Sequence, residues 1–158
     1  MRLLAATASS LALAAAPPQH GLFVPGTSLG GLRLGMTAAQ VVRAWGRDHG
    51  VCRGCKETTW YFTYHAFAPQ GAGVEFRQGR VVGLFTLWSP TGWRTPRGLE
   101  MGDATARITQ LYGALLSVHC RDYTALLKPL HGRVSVFYVV EDRLWGFGVE
   151  RSSVSACR

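Results

Sequence analysis

The residues best suited to chemistry in this sequence are its four cysteines, Cys52, Cys55, Cys120 and Cys157. An even number of cysteines is typical of disulfides in an exported protein, and four of them allow three pairings. We predict a bond between Cys52 and Cys55, which closes a small loop after a helix. We predict a second bond between Cys120 and Cys157, which ties the C-terminal tail to the body. The second bond closes a loop of about 37 residues and should stabilise the fold by about 3–4 kcal/mol.

Two other kinds of chemistry remain open at Cys52 and Cys55. A zinc site would need a second pair of ligands, for which only His119 and Cys120 are suitable. A thioredoxin-like redox motif opens a helix after a strand, whereas this pair follows a predicted helix. The disulfide is therefore the interpretation that we prefer.

The other titratable residues do not form a catalytic pattern. The five histidines include no His-x-x-x-His pair, and the sequence has neither a Gly-x-Ser-x-Gly elbow nor a glycine-rich phosphate loop before a lysine. Asp48 and Glu57 could form an acid pair, but both lie beside the cysteine loop, where solvation explains them. We predict no catalytic residue, no cofactor, no metal ligand and no enzymatic activity.

The N-terminus has the pattern of a signal peptide over residues 1–16. Arg2 supplies a positive end, and Leu3 to Ala16 is uncharged and rich in Leu and Ala, with small residues before Pro17. No later stretch is long and apolar enough to span a bilayer. We therefore predict a soluble protein that is secreted or extracytoplasmic, in the cell envelope.

The remaining chain contains two similar stretches. Gly31–Thr37 matches Gly98–Ala104, and at the same spacing Trp45 matches Tyr112 and Gly46 matches Gly113. This pattern predicts an internal repeat. We expect a first unit at residues 29–88, a linker at 89–97, a second unit at 98–150, and a tail at 151–158 tied by a disulfide.

Each unit is predicted to contain one helix followed by three strands. The first helix should begin at the N-cap Thr37, with Gln40 completing a capping box, and should end at Gly46. The second should begin at the N-cap Asp103 and end at Gly113. Alternating apolar residues predict the strands, which are expected at residues 60–65, 73–77, 81–88, 123–127, 133–140 and 144–150.

These elements predict an α+β fold in which two α-β-β-β repeats form a single antiparallel sheet of about six strands, with the helices on one face. Alternation assigns Val82, Leu84, Trp145 and Phe147 to the helix-facing core. The opposite face should be open, and we place Tyr61, Arg77, Phe85 and Tyr138 on it. A slip of one residue would invert the sheet and expose Trp60, Phe62 and Tyr64 instead.

The segment from Gly35-Met36-Thr37 to Gly46, followed by three strands and repeated, resembles a known group of proteins. It is similar to the tandem-repeat β-lactamase inhibitor proteins and to the small outer-membrane assembly lipoproteins of the BamE type. The resemblance covers residues 29–150. It implies an exported, non-enzymatic module that binds protein through a concave sheet. The inhibitor's contact residues have no counterpart here, and the lipoprotein cysteine is missing.

Charge and aromatic residues suggest what the protein binds. Residues 31–97 carry a net charge of +6 and residues 98–158 a net charge of +1, so the first unit could attract an acidic partner. Trp88, Trp93 and Arg94 form an aromatic cluster around the linker, and such residues are common binding anchors.

We predict a binding module that engages a protein, not a nucleic acid, through the open face or these aromatics. The alternatives are a structural cell-envelope protein without a competitive ligand, or an uncharacterised extracellular enzyme. Oligomeric state is left open.

The predicted disulfides can be tested by non-reducing peptide mapping of protein secreted by its natural host. We expect one peptide that joins Cys52 to Cys55 and another that joins Cys120 to Cys157. Four free thiols would contradict both the predicted compartment and the role of the second bond in fixing the tail.

Overall fold

The computed structural model of the protein describes residues 16–158, and it is built mostly from β-strands. Two helices of eight residues each, α1 (Ala38–Trp45) and α2 (Thr105–Tyr112), accompany ten strands. The strands are β1 (Phe23–Val24), β2 (Ser28–Leu29), β3 (Gly50–Val51), β4 (Thr58–Thr63), β5 (Gly71–Arg77), β6 (Arg80–Leu87), β7 (Leu116–His119), β8 (Thr124–Leu130), β9 (Arg133–Val140) and β10 (Arg143–Arg151).

Eight of the strands form one antiparallel sheet in the order β3-β4-β5-β6-β10-β9-β8-β7, and β1 and β2 form a separate pair. Strands β6 and β10 meet at the centre, where Phe85, Leu84 and Gly83 pair with Gly148, Val149 and Glu150. The hairpin turn between β5 and β6 contains Gln78 and Gly79 in left-handed conformations, as two-residue hairpins require.

The fold class predicted from the sequence is wrong. The large sheet has eight strands where about six were expected, and ten strands against two short helices make the protein mostly β and not an α+β pair of repeats. The strands that were missed, among them β3 and β7, are short, and all residues of β3 and β7 are exposed. Strand β7, Leu116-Ser117-Val118-His119, alternates apolar and polar residues, but over only four positions, the shortest run from which alternation predicts a strand. Strand β3 has only two residues and gives no pattern.

The first helix follows the sequence prediction, because its cap is encoded in two side chains. The amide of Gln40 donates to Oγ1 of Thr37 at 3.2 Å, and the Thr37 amide donates to Oε1 of Gln40 at 2.8 Å. The second helix ends at Gly113 as predicted, but its N-cap is Ala104, which offers no side-chain acceptor, so the assignment of Asp103 was wrong. Asp103 instead accepts from the amide of Glu100 at 2.9 Å and pairs with Arg107 at 3.1 Å.

The larger hydrophobic core lies between the helices and one face of the sheet. Val41 and Trp45 of α1 and Ile108 and Tyr112 of α2 are buried in it. The sheet contributes the side chains that point toward the helices, including Phe62, Val74, Leu84, Phe137, Phe147 and Val149. Leu84 and Phe147 therefore face the helices, as expected.

The other two residues assigned to the helix-facing core, Trp145 and Val82, do not lie in it, because each is next to a β-bulge. The pairing of β10 with β9 shifts between Leu144 and Gly146, which sends Trp145 to the face away from the helices. The pairing of β5 with β6 shifts between Glu75 and Phe76, so Val82 lies in the irregularity and joins neither core cluster. A strict period of two could not anticipate either displacement.

The predicted signal peptide, residues 1–16, falls almost wholly outside the described residues. Within residues 16–158 neither helix could cross a bilayer, since a transmembrane helix needs about 20 residues. The division into units at 29–88 and 98–150 stays a prediction.

The different caps of the two helices give a paired test. We expect Thr37→Ala to lower the free energy of unfolding by about 1 kcal/mol, and Ala104→Ser to raise it by a similar amount, because only the second change supplies a missing acceptor. Urea denaturation of both variants measures the two effects. A gain at Thr37 or a loss at Ala104 would contradict the cap assignments.

Candidate functional site

The face of the sheet away from the helices, here called the second face, is closed in part by the tail, residues 152–158. The Cys120–Cys157 disulfide holds the tail against the turn between β7 and β8. The Tyr123 hydroxyl donates to the carbonyl of Ala156 at 2.9 Å and accepts from the amide of Arg158 at 2.9 Å. The tail thereby covers a smaller core of Phe85, Ala125, Val136 and Tyr138.

The side chain of Arg158 lies over the second face and pairs with two buried carboxylates. Its Nη2 lies 3.1 Å from Oε2 of Glu75 and 2.7 Å from Oε1 of Glu150, and its Nε donates to Oε1 of Glu75 at 3.1 Å. The guanidinium carbon lies 4.0 Å from the centroid of the Phe85 ring, and Nη1 donates to the hydroxyl of Tyr138. We call Glu75, Glu150, Tyr138 and Phe85 the guanidinium cradle.

Glycines make room for the cradle on the sheet surface. The ring of Phe85 lies over Gly73, its partner in the neighbouring strand, so a Cβ at Gly73 would overlap the ring. A Cβ at Gly148 would lie 2.7 Å from the hydroxyl of Tyr138, and one at Gly83 would overlap the carboxylate of Glu75. Glycines inside strands therefore mark the places where side chains lie flat on the backbone.

Burial raises the pKa of two groups in the cradle, Glu150 and Tyr138. Desolvation raises the pKa of Glu150 above its usual value, although the charge of Arg158 and the hydrogen bonds from Arg158 and Tyr138 oppose the shift. Desolvation also raises the pKa of Tyr138, so its hydroxyl stays protonated and donates to Oε1 of Glu150 at 2.8 Å. The second oxygen of Glu150, Oε2, is buried without a hydrogen-bond partner.

Beside the cradle the second face stays open as an apolar cavity of about 220 Å³, here called the aromatic groove. Trp88 lies at the groove with 58% of its surface exposed. Its ring meets that of Trp145 edge to face, with the centroids 6.1 Å apart. The groove is lined by Tyr61, Phe85, Thr86, Leu87, Trp88, Tyr123, Tyr138, Trp145 and Arg158.

The structure brings together part of the predicted open face and buries it. Phe85 and Tyr138 are 5% and 3% exposed, because the tail lies over them, so our expectation that they face solvent was wrong. Tyr61 is half-buried and lines the groove. Arg77 lies away from the groove and pairs with Glu57 at 2.6 Å. The hydrogen bond from Arg77 lowers the pKa of Glu57.

The linker residues separate instead of forming a cluster. Trp93 is fully buried in the larger core, where its Nε1 donates to the hydroxyl of Tyr64. Arg94 is held by backbone bonds to the segment around Gly21 and lines a cavity of about 480 Å³ with Glu100. Of the three, only Trp88 reaches the second face. The cavity beside Arg94 thus lies apart from the aromatic groove.

The cysteines form both predicted bonds, Cys52–Cys55 and Cys120–Cys157. The described residues contain no free cysteine, so neither zinc nor a dithiol can be held at Cys52 and Cys55 in this state. Among residues 16–158, no three His, Cys, Asp or Glu side chains come close enough to hold a metal ion.

Sequence reasoning missed Glu75, Glu150 and Arg158. Glu75 and Glu150 lie in apolar strands, each two residues after a glycine, in Gly73-Val74-Glu75 and Gly148-Val149-Glu150. A charge inside an otherwise buried strand needs a partner, and this was the signal that could have identified them. The partner lies 83 residues from Glu75 in the sequence, so no local pattern could connect them.

Comparisons with known proteins agree on the fold only. The chain is similar to an extracellular protein containing a SCP domain from Bacillus anthracis str. Ames, with a TM-score of 0.57 and 10% identity over 75% of this chain and 44% of that one. It is also similar to a DUF4309 family protein, YjgB, from Bacillus subtilis subsp. subtilis str. 168, with a TM-score of 0.54 and 11% identity over 73% of this chain and 78% of that one. No protein-family model and no curated protein matches the sequence.

The chain therefore spans less than half of the Bacillus anthracis protein. Neither description names a β-lactamase inhibitor or a BamE-type lipoprotein. The resemblance drawn from the sequence stays a prediction.

The cover over the second face can be tested by truncating its core. We expect Phe85→Ala to lower the free energy of unfolding by about 3–5 kcal/mol, because it leaves a cavity under Arg158. Phe67→Ala should change it by less than about 0.5 kcal/mol, since Phe67 is fully exposed. Thermal and urea denaturation measure both. A loss below about 1 kcal/mol for Phe85→Ala would contradict burial by the tail.

Proposed function

We propose that this protein is an extracellular, non-enzymatic binding module that takes an apolar side chain of a protein partner into the aromatic groove. Two disulfides support the compartment, because structural disulfides persist in oxidising environments. The similar Bacillus anthracis protein is itself described as extracellular. The acidic character of the partner remains a prediction from the charge of the first unit.

The observation that carries the proposal is the exposure of Trp88 at the aromatic groove. Trp88 is 58% exposed, and its indole lies beside Trp145 and a half-buried Leu87. The φ of Trp88 is 53°, in the left-handed region, which costs about 1–2 kcal/mol for a residue other than glycine. Phe67 shares this conformation with a φ of 66°, so the position of Trp88 at the groove distinguishes it, and not its backbone alone.

The groove also has the composition of a binding hot spot. Trp and Tyr contribute strongly when a partner removes them from water, and Trp88, Trp145, Tyr61 and Tyr123 converge on one cavity. Its volume of about 220 Å³ suits one or two side chains rather than a large ligand. A structural envelope protein without a competitive ligand is the alternative, and it predicts no dependence on the groove.

Site-specific photo-crosslinking tests the proposal in the native host. We place p-benzoylphenylalanine at position 88 of the full chain and, as a matched control, at position 67, another exposed aromatic position outside the groove. We expect one defined crosslinked protein from position 88 only. Trp88→Ala should then weaken binding of that purified partner at least about tenfold, while Phe67→Ala should not.

The same experiment identifies the alternative. Equal crosslinking from both positions, or binding that Trp88→Ala leaves unchanged, would contradict the groove as the binding site. Unchanged thermal denaturation of Trp88→Ala is the control that separates lost binding from lost folding.

A further inference from the structure

Arg158 occupies the guanidinium cradle as a bound ligand would, through side-chain contacts alone. We propose that the cradle is a binding site for the arginine side chain of a protein partner, and that Arg158 fills it until the partner's arginine replaces it. This inference rests on the proposed function, since it names a second chemical feature of the same partner.

The cradle matches a guanidinium and not an ammonium. Both oxygens of Glu75 accept from one edge of the planar group, through Nε and Nη2, and Oε1 of Glu150 accepts from Nη2 as well. The Phe85 ring lies against the flat face at 4.0 Å from the guanidinium carbon. A planar guanidinium can donate to all of these oxygens while it stacks on the ring, whereas a lysine ammonium, a compact point charge, cannot do both.

The two carboxylates of the cradle can accept a hydrogen bond from a further donor. Glu75 and Glu150 are 6% and 0% exposed, and among the described contacts one guanidinium serves both carboxylates. Oε2 of Glu150 is buried and accepts no hydrogen bond. An unsatisfied buried acceptor is costly, so a partner that brings an arginine together with a further donor would satisfy the site better than Arg158 does.

The position of Arg158 links this exchange to the aromatic groove. Arg158, Tyr61 and Phe85 line the groove and also a second cavity of about 390 Å³ beside Glu57 and Glu75. The Arg158 side chain therefore stands between two cavities, and its departure would join them. The disulfide at Cys157 holds only the backbone, so the side chain can leave by rotation about its own bonds. A partner with an arginine next to an apolar residue would fill the joined space.

A small-molecule probe tests the site without any partner. We expect N-acetyl-arginine amide to bind Arg158→Ala with a Kd of about 1 mM, measured by calorimetry, and to raise its Tm saturably. N-acetyl-lysine amide should do neither at the same concentrations. Binding to the unchanged protein should be at least about tenfold weaker, because the tethered Arg158 competes at high effective concentration.

Two further variants keep the test decisive. Adding Glu75→Gln to Arg158→Ala should abolish the preference for arginine over lysine. If Arg158→Ala does not fold, Arg158→Lys keeps a cation in the cradle and should still bind the arginine probe. Equal binding of both probes, or equal binding to the unchanged protein, would overturn the proposal and leave Arg158 as a structural ion pair. Because no partner is used, this result is independent of the crosslinking at position 88.

Discussion

The ion pairs of Arg158 with Glu75 and Glu150 determine how the second face of the sheet is closed. A sheet has two faces, and the helices cover one of them. The other would expose Phe85, Tyr138 and two carboxylates within apolar strands. Burying a charge is unfavourable without a partner, so the tail must bring a cation to this point. The disulfide at Cys157 places that cation, and the glycines beneath the rings allow it to lie close to the sheet.

The same cover is incomplete, and its edge is where function is best sought. The tail lies over Phe85 and Tyr138, and the surface beside it presents Trp88 and Trp145 around a small cavity. Phe85 and Tyr138 belong both to the covered core and to the lining of the groove. A binding module would use such a surface, whereas a structural envelope protein would not depend on it. The fold itself does not choose between them, since unrelated functions recur on one architecture.

Structure that depends on residues close together in the sequence was predicted well, whereas contacts between residues far apart in the sequence were not predicted. The cap formed by Thr37 and Gln40, the stop at Gly46 and strand β9 are encoded within a few residues, and the structure has them at those positions. Cysteine count and expected compartment predicted two disulfides but allowed three pairings, and the pairing that we preferred is the one that the structure has. The predictions of the fold class, of the open face and of Trp145 in the helix-facing core were wrong. They depend on short edge strands, on a bulge, and on a tail that folds back over distant strands. A pattern of period two predicts neither the bulge nor the tail, and it is weak in edge strands of two and four residues.

The tail adds a further connection between the earlier and the later strands, besides residues 89–97 and the pairing of β6 with β10. Cys157 is bonded to Cys120 among the later strands, while its neighbour Arg158 grips Glu75 among the earlier ones, and β6 pairs with β10 between them. A protease that cuts the linker would therefore not release two fragments. The nicked molecule would remain one particle, held by the central strand pair and the tail, and would melt in a single cooperative step. Such resilience to proteolysis suits a protein that works outside the cell.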